Sequence, residues 1–129
     1  MKISFRRVAI LTAVLFLALA LTWMFAPQRL LEAWGLVSAP TAEVLGRRAA
    51  ALYAGVAAMF WLARNAVASP ARTAMSRGLA LACFSLAALG IFELVAHHVT
   101  TGILPAVIIE VALGLALLQA EHTLHIRRK

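Results

Sequence analysis

The sequence predicts an all-α polytopic membrane protein: four transmembrane helices in an antiparallel bundle, one domain over residues 1–129, with both termini cytoplasmic. Three observations carry this. Apolar residues make up 64% of the chain and charged ones 13%, where soluble domains hold roughly 45–50% and about 25%. Mean hydropathy is +0.92 and Asp is absent from all 129 residues, so polar material is too scarce to shell so small a fold against water. Finally, basic residues bracket apolar runs of membrane-spanning length, which is about 20 residues.

The first span is expected over about residues 6–26. From residue 8 to 26 its apolar run is interrupted only by Thr12 and Thr22, and Pro27 closes it. A signal peptide is the rival reading, since Lys2, Arg6 and Arg7 precede an apolar core, but that core is too long and no convincing small-residue cleavage site follows. Residues 28–35 read as a short amphipathic helix at the interface, with Trp34 at headgroup level and Gly35 as its stop. The second span, about 44–64, is the odd one. Only 15 residues separate Arg48 from Arg64, about 22 Å of a hydrocarbon layer about 30 Å thick. To cross, it must draw in Val44, Leu45, Gly46 and the Arg47-Arg48 pair. The third span, about 75–98, holds Glu93, and the fourth, about 103–121, holds Glu110 with Pro105 in its first turn. Ser69-Pro70 breaks the loop before the third span, and residues 98–102 form a tight turn before the fourth, so chain neighbours should pack as hairpins.

The net charge of +7 comes from 12 Lys and Arg against five Glu. Nine of the cations, Lys2, Arg6, Arg7, Arg64, Arg72, Arg77, Arg127, Arg128 and Lys129, fall on the side of the termini, and three, Arg29, Arg47 and Arg48, on the other. That split encodes orientation with the termini cytoplasmic, and cations that flank spans instead of lining one face exclude a nucleic-acid partner. The single cysteine, Cys83, lies inside an apolar run and reads as packing, with no disulfide framework and no cysteine metal site.

Ionisable groups at membrane depth are the informative residues, since each costs roughly 2.5–3.5 kcal/mol on the insertion scale and should face protein or water. Counted from a turn centred on residues 100–101, Glu93 and Glu110 lie at depths about 3 Å apart on antiparallel helices. His97, four residues after Glu93, would share its face one turn nearer the outer surface. Arg47 and Arg48 enter from that same side, and Tyr53, roughly 7–8 Å below Arg48, needs a partner for its hydroxyl. Arg47, Arg48, Tyr53, Glu93, His97 and Glu110 are therefore expected to form one polar cluster, with Gly90, Gly114, Ala51, Ala54 and Ala58 letting the backbones close in. Two readings stand: a buried Arg–Glu bridge, with a second, protonated Glu, that fixes helix register, or a ligand or proton site opening to the periplasmic side. A metal site fails on ligand count and on the nearby arginines, and haem fails because His97 and His98 point about 100° apart while His122 and His125 lie in the opposite tail. No Ser or Cys beside a His suggests nucleophilic catalysis, and no Gly-rich loop suggests phosphate binding.

The order of features resembles a group of small four-helix bacterial membrane proteins related to DoxX. The resemblance rests on FAPQRLLEAWGL after the first span, LGRRAAALYAGVAAMFWLARN with Arg47, Tyr53 and Gly55, and LPAVIIEVALGLALL with its membrane Glu. It implies a multi-pass protein of the bacterial plasma (inner) membrane and, since DoxX is the small subunit of a thiosulfate:quinone oxidoreductase, a quinone-linked or accessory role. The expected function is a non-enzymatic accessory or binding protein whose partners are the bilayer and either another membrane protein or a lipophilic small molecule. The alternative is a quinone-linked oxidoreductase subunit, in which case quinone is the cofactor; otherwise none is expected, and no catalytic residue is assigned.

Overall fold

The computed structural model describes residues 4–125, with side chains through Glu121. The Lys2, Arg127, Arg128 and Lys129 charges and the His122 and His125 side chains lie outside that part. Among the described residues the chain is all α, in the order α1 (Phe5–Phe25), α2 (Pro27–Ala33), α3 (Pro40–Ala63), α4 (Pro70–Val95) and α5 (Leu104–His125), with a 3-10 turn at Thr101–Ile103 leading into α5.

Local chemistry fixes the boundaries. Ser4 and Ser69 cap α1 and α4, their hydroxyls accepting from the amides of Arg7 and Arg72. Prolines occupy the first turns of α2, α3 and α4, where a missing N–H leaves no hydrogen bond unmade. Helix α2 ends as the Gly35 stop predicts: Gly35 sits at φ +76°, its amide donates to the Glu32 carbonyl and the Leu36 amide donates to the Leu31 carbonyl. Helix α4 stops in the same way at Val95, three residues short of the expected end, because His97 takes the left-handed position at φ 60° while the amides of His97 and His98 return to the carbonyls of Leu94 and Glu93.

Two antiparallel hairpins result. Helix α3 lies along α1, with Trp23 against Gly46 and Phe16 edge-on to Tyr53 at 5.9 Å. Helix α5 lies along α4, with Gly90 opposite Val107 and Gly114 opposite Phe84. Helices α1 and α5 join the hairpins, whereas α3 has almost no backbone-level approach to α4 or α5. All four long helices still contribute to one core, including Phe16 and Ala13 of α1, Ala57 and Phe60 of α3, Leu79 and Cys83 of α4, and Leu113 and Leu117 of α5.

At one end, here the cap end, α2 folds over the α4–α5 turn; the other, terminal end gathers the starts of α1 and α4 with the ends of α3 and α5. The cap is held by the Thr100 amide donating to the Trp34 carbonyl at 2.8 Å and by Trp34 packed edge-on to Trp23. Gly102 lies so close to the Ala33 carbonyl that a Cβ there would collide with it.

Three helical segments, Phe5–Phe25, Pro70–Val95 and Thr101–Glu121, are long and apolar enough to cross a membrane. The sequence leads one to expect four. Helix α3 has the length, at 24 residues, but it begins at Pro40, four residues earlier than expected. Its first nine residues therefore contain Glu43, Arg47 and Arg48, and their charge lowers its hydropathy.

Candidate functional site

The six residues expected to cluster separate into four places. Arg47 pairs within its own helix with Glu43, Nη2 to Oε2 at 3.2 Å, and Glu43 also accepts from the Ser38 hydroxyl at 2.8 Å. This contact stitches the loop to the first turn of α3 at the cap end. Arg48 stands exposed and makes no ion pair among the described residues. Glu93 is met not by His97 but by His98, whose Nδ1 lies 2.7 Å from Oε2. The left-handed turn at His97 carries the chain back over the last turn of α4, leaving the His97 ring exposed and swinging the His98 ring onto Glu93. The Glu93–His98 pair stands in the open, with side chains 41% and 68% exposed.

Tyr53 and Glu110 are the two that the fold brings together. Phe16 of α1 packs edge-on to the Tyr53 ring, and Glu110 lies within electrostatic range of the Tyr53 hydroxyl and the Cys83 thiol. Glu110 falls on the stripe that α5 turns toward the core, with Ile103, Val107, Leu113 and Leu117 buried around it. Glu110 itself is only half-buried, and it makes no hydrogen bond or ion pair among the described residues. Glu93 is not its neighbour. The register set by Gly90 with Val107 and Phe84 with Gly114 puts Glu110 level with Ala87, so Glu93 lies six residues, about 9 Å, nearer the cap.

A second polar group, at the terminal end, was not foreseen. Arg72 and Glu121 form a buried ion pair, Nε to Oε1 at 3.0 Å, with side chains 6% and 8% exposed. The remaining lone pairs of Glu121 accept from the Thr73 hydroxyl at 2.9 Å and the Ser76 hydroxyl at 3.5 Å. Arg72 Nη1 donates to the Ala66 carbonyl at 2.9 Å, and its guanidinium lies over the Phe5 ring, 4.3 Å from the centroid. One buried donor, Arg72 Nη2, has no partner among the described residues. A signal for this group exists in the sequence: the core stripe of α4, read back from Gly90 through Ala87, Cys83, Leu79 and Ala80, continues into Ser76, Thr73 and Arg72, and buried polar residues at the end of an apolar stripe require an opposite charge on the facing helix.

Between the two polar groups the core is filled by Leu79, Phe60 and Leu117, the last two fully buried, and its one polar side chain among the described residues is the fully buried Thr12 of α1. The Arg72–Glu121 pair is thus a buried joint among α1, α4, α5 and the α3–α4 loop, with the Glu121 carboxylate fully engaged and one Arg72 donor left without a partner among the described residues. Glu110 keeps an uncommitted carboxyl within electrostatic range of the Tyr53 hydroxyl, which is the chemistry of proton exchange or of binding a donor or cation. Among the described residues no group of three His, Cys, Asp or Glu side chains is placed to hold a metal ion. Compared with known proteins, the chain matches no protein family, no curated protein and no solved structure.

Proposed function

We propose that the chain is an integral protein of a bacterial plasma membrane, crossing it four times as an antiparallel bundle with both termini cytoplasmic. It acts without catalysis of its own, as an accessory or binding protein whose ligand or proton site is Glu110 with Tyr53. Three helical segments support this by length and apolarity, and large apolar side chains such as Leu17, Leu52, Leu62, Leu81 and Ile108 stand exposed around the circumference, as a lipid solvent requires. Helix α3 is the fourth crossing on this reading. Its Gly46 lies level with Trp23, so Arg47 and Arg48 reach the headgroups beside an aromatic belt and its apolar part spans the rest. The cap end is then periplasmic.

The single observation that carries the site is Glu110, a half-buried carboxyl at the middle of an apolar helix with no partner among the described residues. Glu43, Glu93 and Glu121 all have partners, and Glu32 is exposed on the short α2. An ionisable group is retained at such depth at a cost, which makes it a site before it is packing.

The test combines reporter fusions with extraction. Reporters at the C-terminus and in the loop between α2 and α3 should read opposite sides of the membrane, and a C-terminal reporter active only in the periplasm overturns the orientation. Protein purified from its membrane should carry a lipophilic molecule by mass spectrometry that Glu110→Gln protein lacks; equal loading of both removes Glu110 from the site. The second reading, a quinone-linked subunit of DoxX type, is favoured by one feature: the Tyr53 hydroxyl and the Glu110 carboxyl offer the hydrogen bonds a quinone head group takes. A co-extracted quinone or a chromophore selects it.

A further inference from the structure

We infer that the terminal end is a binding surface for acidic phospholipids, whose phosphodiesters are held by Arg6 and Arg7 of α1 and Arg77 of α4. This rests on the membrane reading above and names a partner for the leaflet on that side. Of the five acidic side chains in the sequence, only Glu121 stands at this end, and Arg72 holds it. Arg6, Arg7 and Arg77 are exposed, and their side chains make no ion pair or hydrogen bond among the described residues. The cap end differs: there Arg29, Arg47 and Arg48 are matched in number by Glu32, Glu43 and Glu93. Exposed cations with no acid of their own chain to meet draw their counter-charge from the surroundings, which at a bilayer surface are lipid phosphates.

Register puts these cations at one depth. The Arg72 guanidinium lies over the Phe5 ring, 4.3 Å from its centroid, so the starts of α1 and α4 stand side by side. Arg6 and Arg7 follow Phe5 directly, and Arg77 is five residues beyond Arg72, so the free arginines share a belt about 8 Å deep. The contacts of Phe16 with Tyr53 and of Trp23 with Gly46 set α3 against α1 so that Arg64 is level with Phe5. Arg64 lies over the half-exposed Trp61 ring, and an amphipathic aromatic at that level marks the headgroup zone. Beneath the free arginines the surface turns apolar at once. One turn deeper on the same faces stand Leu11, below Arg7 and 50% exposed, and Leu81, below Arg77 and 69% exposed. A charged belt above apolar columns fits a molecule with an anionic head and acyl chains, and the long arginine stems let the guanidinium groups rise to meet the head.

The probes are spin-labelled phosphatidylglycerol and spin-labelled phosphatidylcholine, whose association with the full chain in phosphatidylcholine vesicles is read by electron spin resonance. Phosphatidylglycerol should associate about fivefold more strongly, and the preference should vanish near about 1 M salt, where screening acts within about 3 Å. Combining Arg6→Gln, Arg7→Gln and Arg77→Gln should bring the two lipids within about twofold of each other, while Arg29→Gln with Arg48→Gln leaves the preference as in the wild-type chain. If the triple variant does not fold, the wild-type salt series and the cap-end variant answer without it. Equal association of both lipids with the wild-type chain, a preference indifferent to salt, its retention in the folded triple variant, or an equal loss in the cap-end variant overturns the inference and leaves the membrane reading standing. Displacement of phosphatidylglycerol by inorganic phosphate at constant ionic strength also overturns it, by assigning the arginines to a free anion. Failure of the chain to enter phosphatidylcholine vesicles overturns the membrane reading itself, before any lipid is compared.

Discussion

Glu110 and Glu121 are carried by the same helix on the same face, 11 residues and therefore three turns apart, yet they meet opposite surroundings. Glu121 is buried and answered by Arg72, Thr73 and Ser76, whereas Glu110 is half-buried and has no hydrogen-bond or ion-pair partner among the described residues. What differs is the facing helix. The α4 stripe opposite Glu121 turns polar, while opposite Glu110 it is Ala87 and Cys83. An acid whose neighbours supply its counter-charge is a joint of the fold; one whose neighbours withhold it is open to something from outside.

The sharpest way to break the comparison is at the joint. Arg72→Met leaves Glu121 buried without its cation and should cost about 3–5 kcal/mol, read by thermal or denaturant unfolding in detergent. A loss below about 1 kcal/mol would mean that the pair is solvated and the contrast with Glu110 false. Adding Glu121→Leu to Arg72→Met should recover much of the loss, because two apolar groups need no partner.

Next in size is the cap. Gly102→Ala places a Cβ against the Ala33 carbonyl, where backbone cannot yield, and should cost about 1–3 kcal/mol. Fluorescence of the Trp23–Trp34 pair should report the cap loosening while the terminal end holds. Loosening of both ends together would show that the cap and the joint are not independent.

His97→Gly works in the other direction. A left-handed conformation strains a side-chain residue by about 1–2 kcal/mol, and glycine returns part of that gain through its unfolded freedom. A net stabilisation of about 0.5–1 kcal/mol is expected, with α4 ending where it does now. Smallest of all, His98→Ala removes an exposed pair with Glu93 and should change stability by less than about 1 kcal/mol. A large loss there would make the cap-end carboxyl a second joint.

These sizes follow features of unequal legibility. The four apolar runs are helices, and the short helix α2, its Gly35 stop and the proline in the first turn of α5 stand where residue chemistry puts them, since caps, prolines and glycines act within a few residues. The convergence of six polar residues was not legible in the same way. Rise per residue gives depth along an axis but not which helix faces which, and α3 chose α1 as its neighbour, leaving Arg47 to Glu43. Depth itself slipped because α4 ends at Val95 through a His in a glycine-like position, which moves the centre of the turn and separates Glu93 from Glu110. The Arg72–Glu121 joint was visible only as a polar continuation of an apolar stripe, and charge counting assigned Arg72 to topology alone.

The claim that one carboxyl of α5 is open from the membrane and the other is closed can be measured directly with dicyclohexylcarbodiimide. This apolar reagent partitions into lipid and modifies carboxyl groups it can reach there. The chain in phosphatidylcholine nanodiscs should be labelled at Glu110, with Glu121 unmodified on the same α5 peptide. Labelling of Glu121 at the rate of Glu110, or protection of both until the protein is unfolded, would contradict the account.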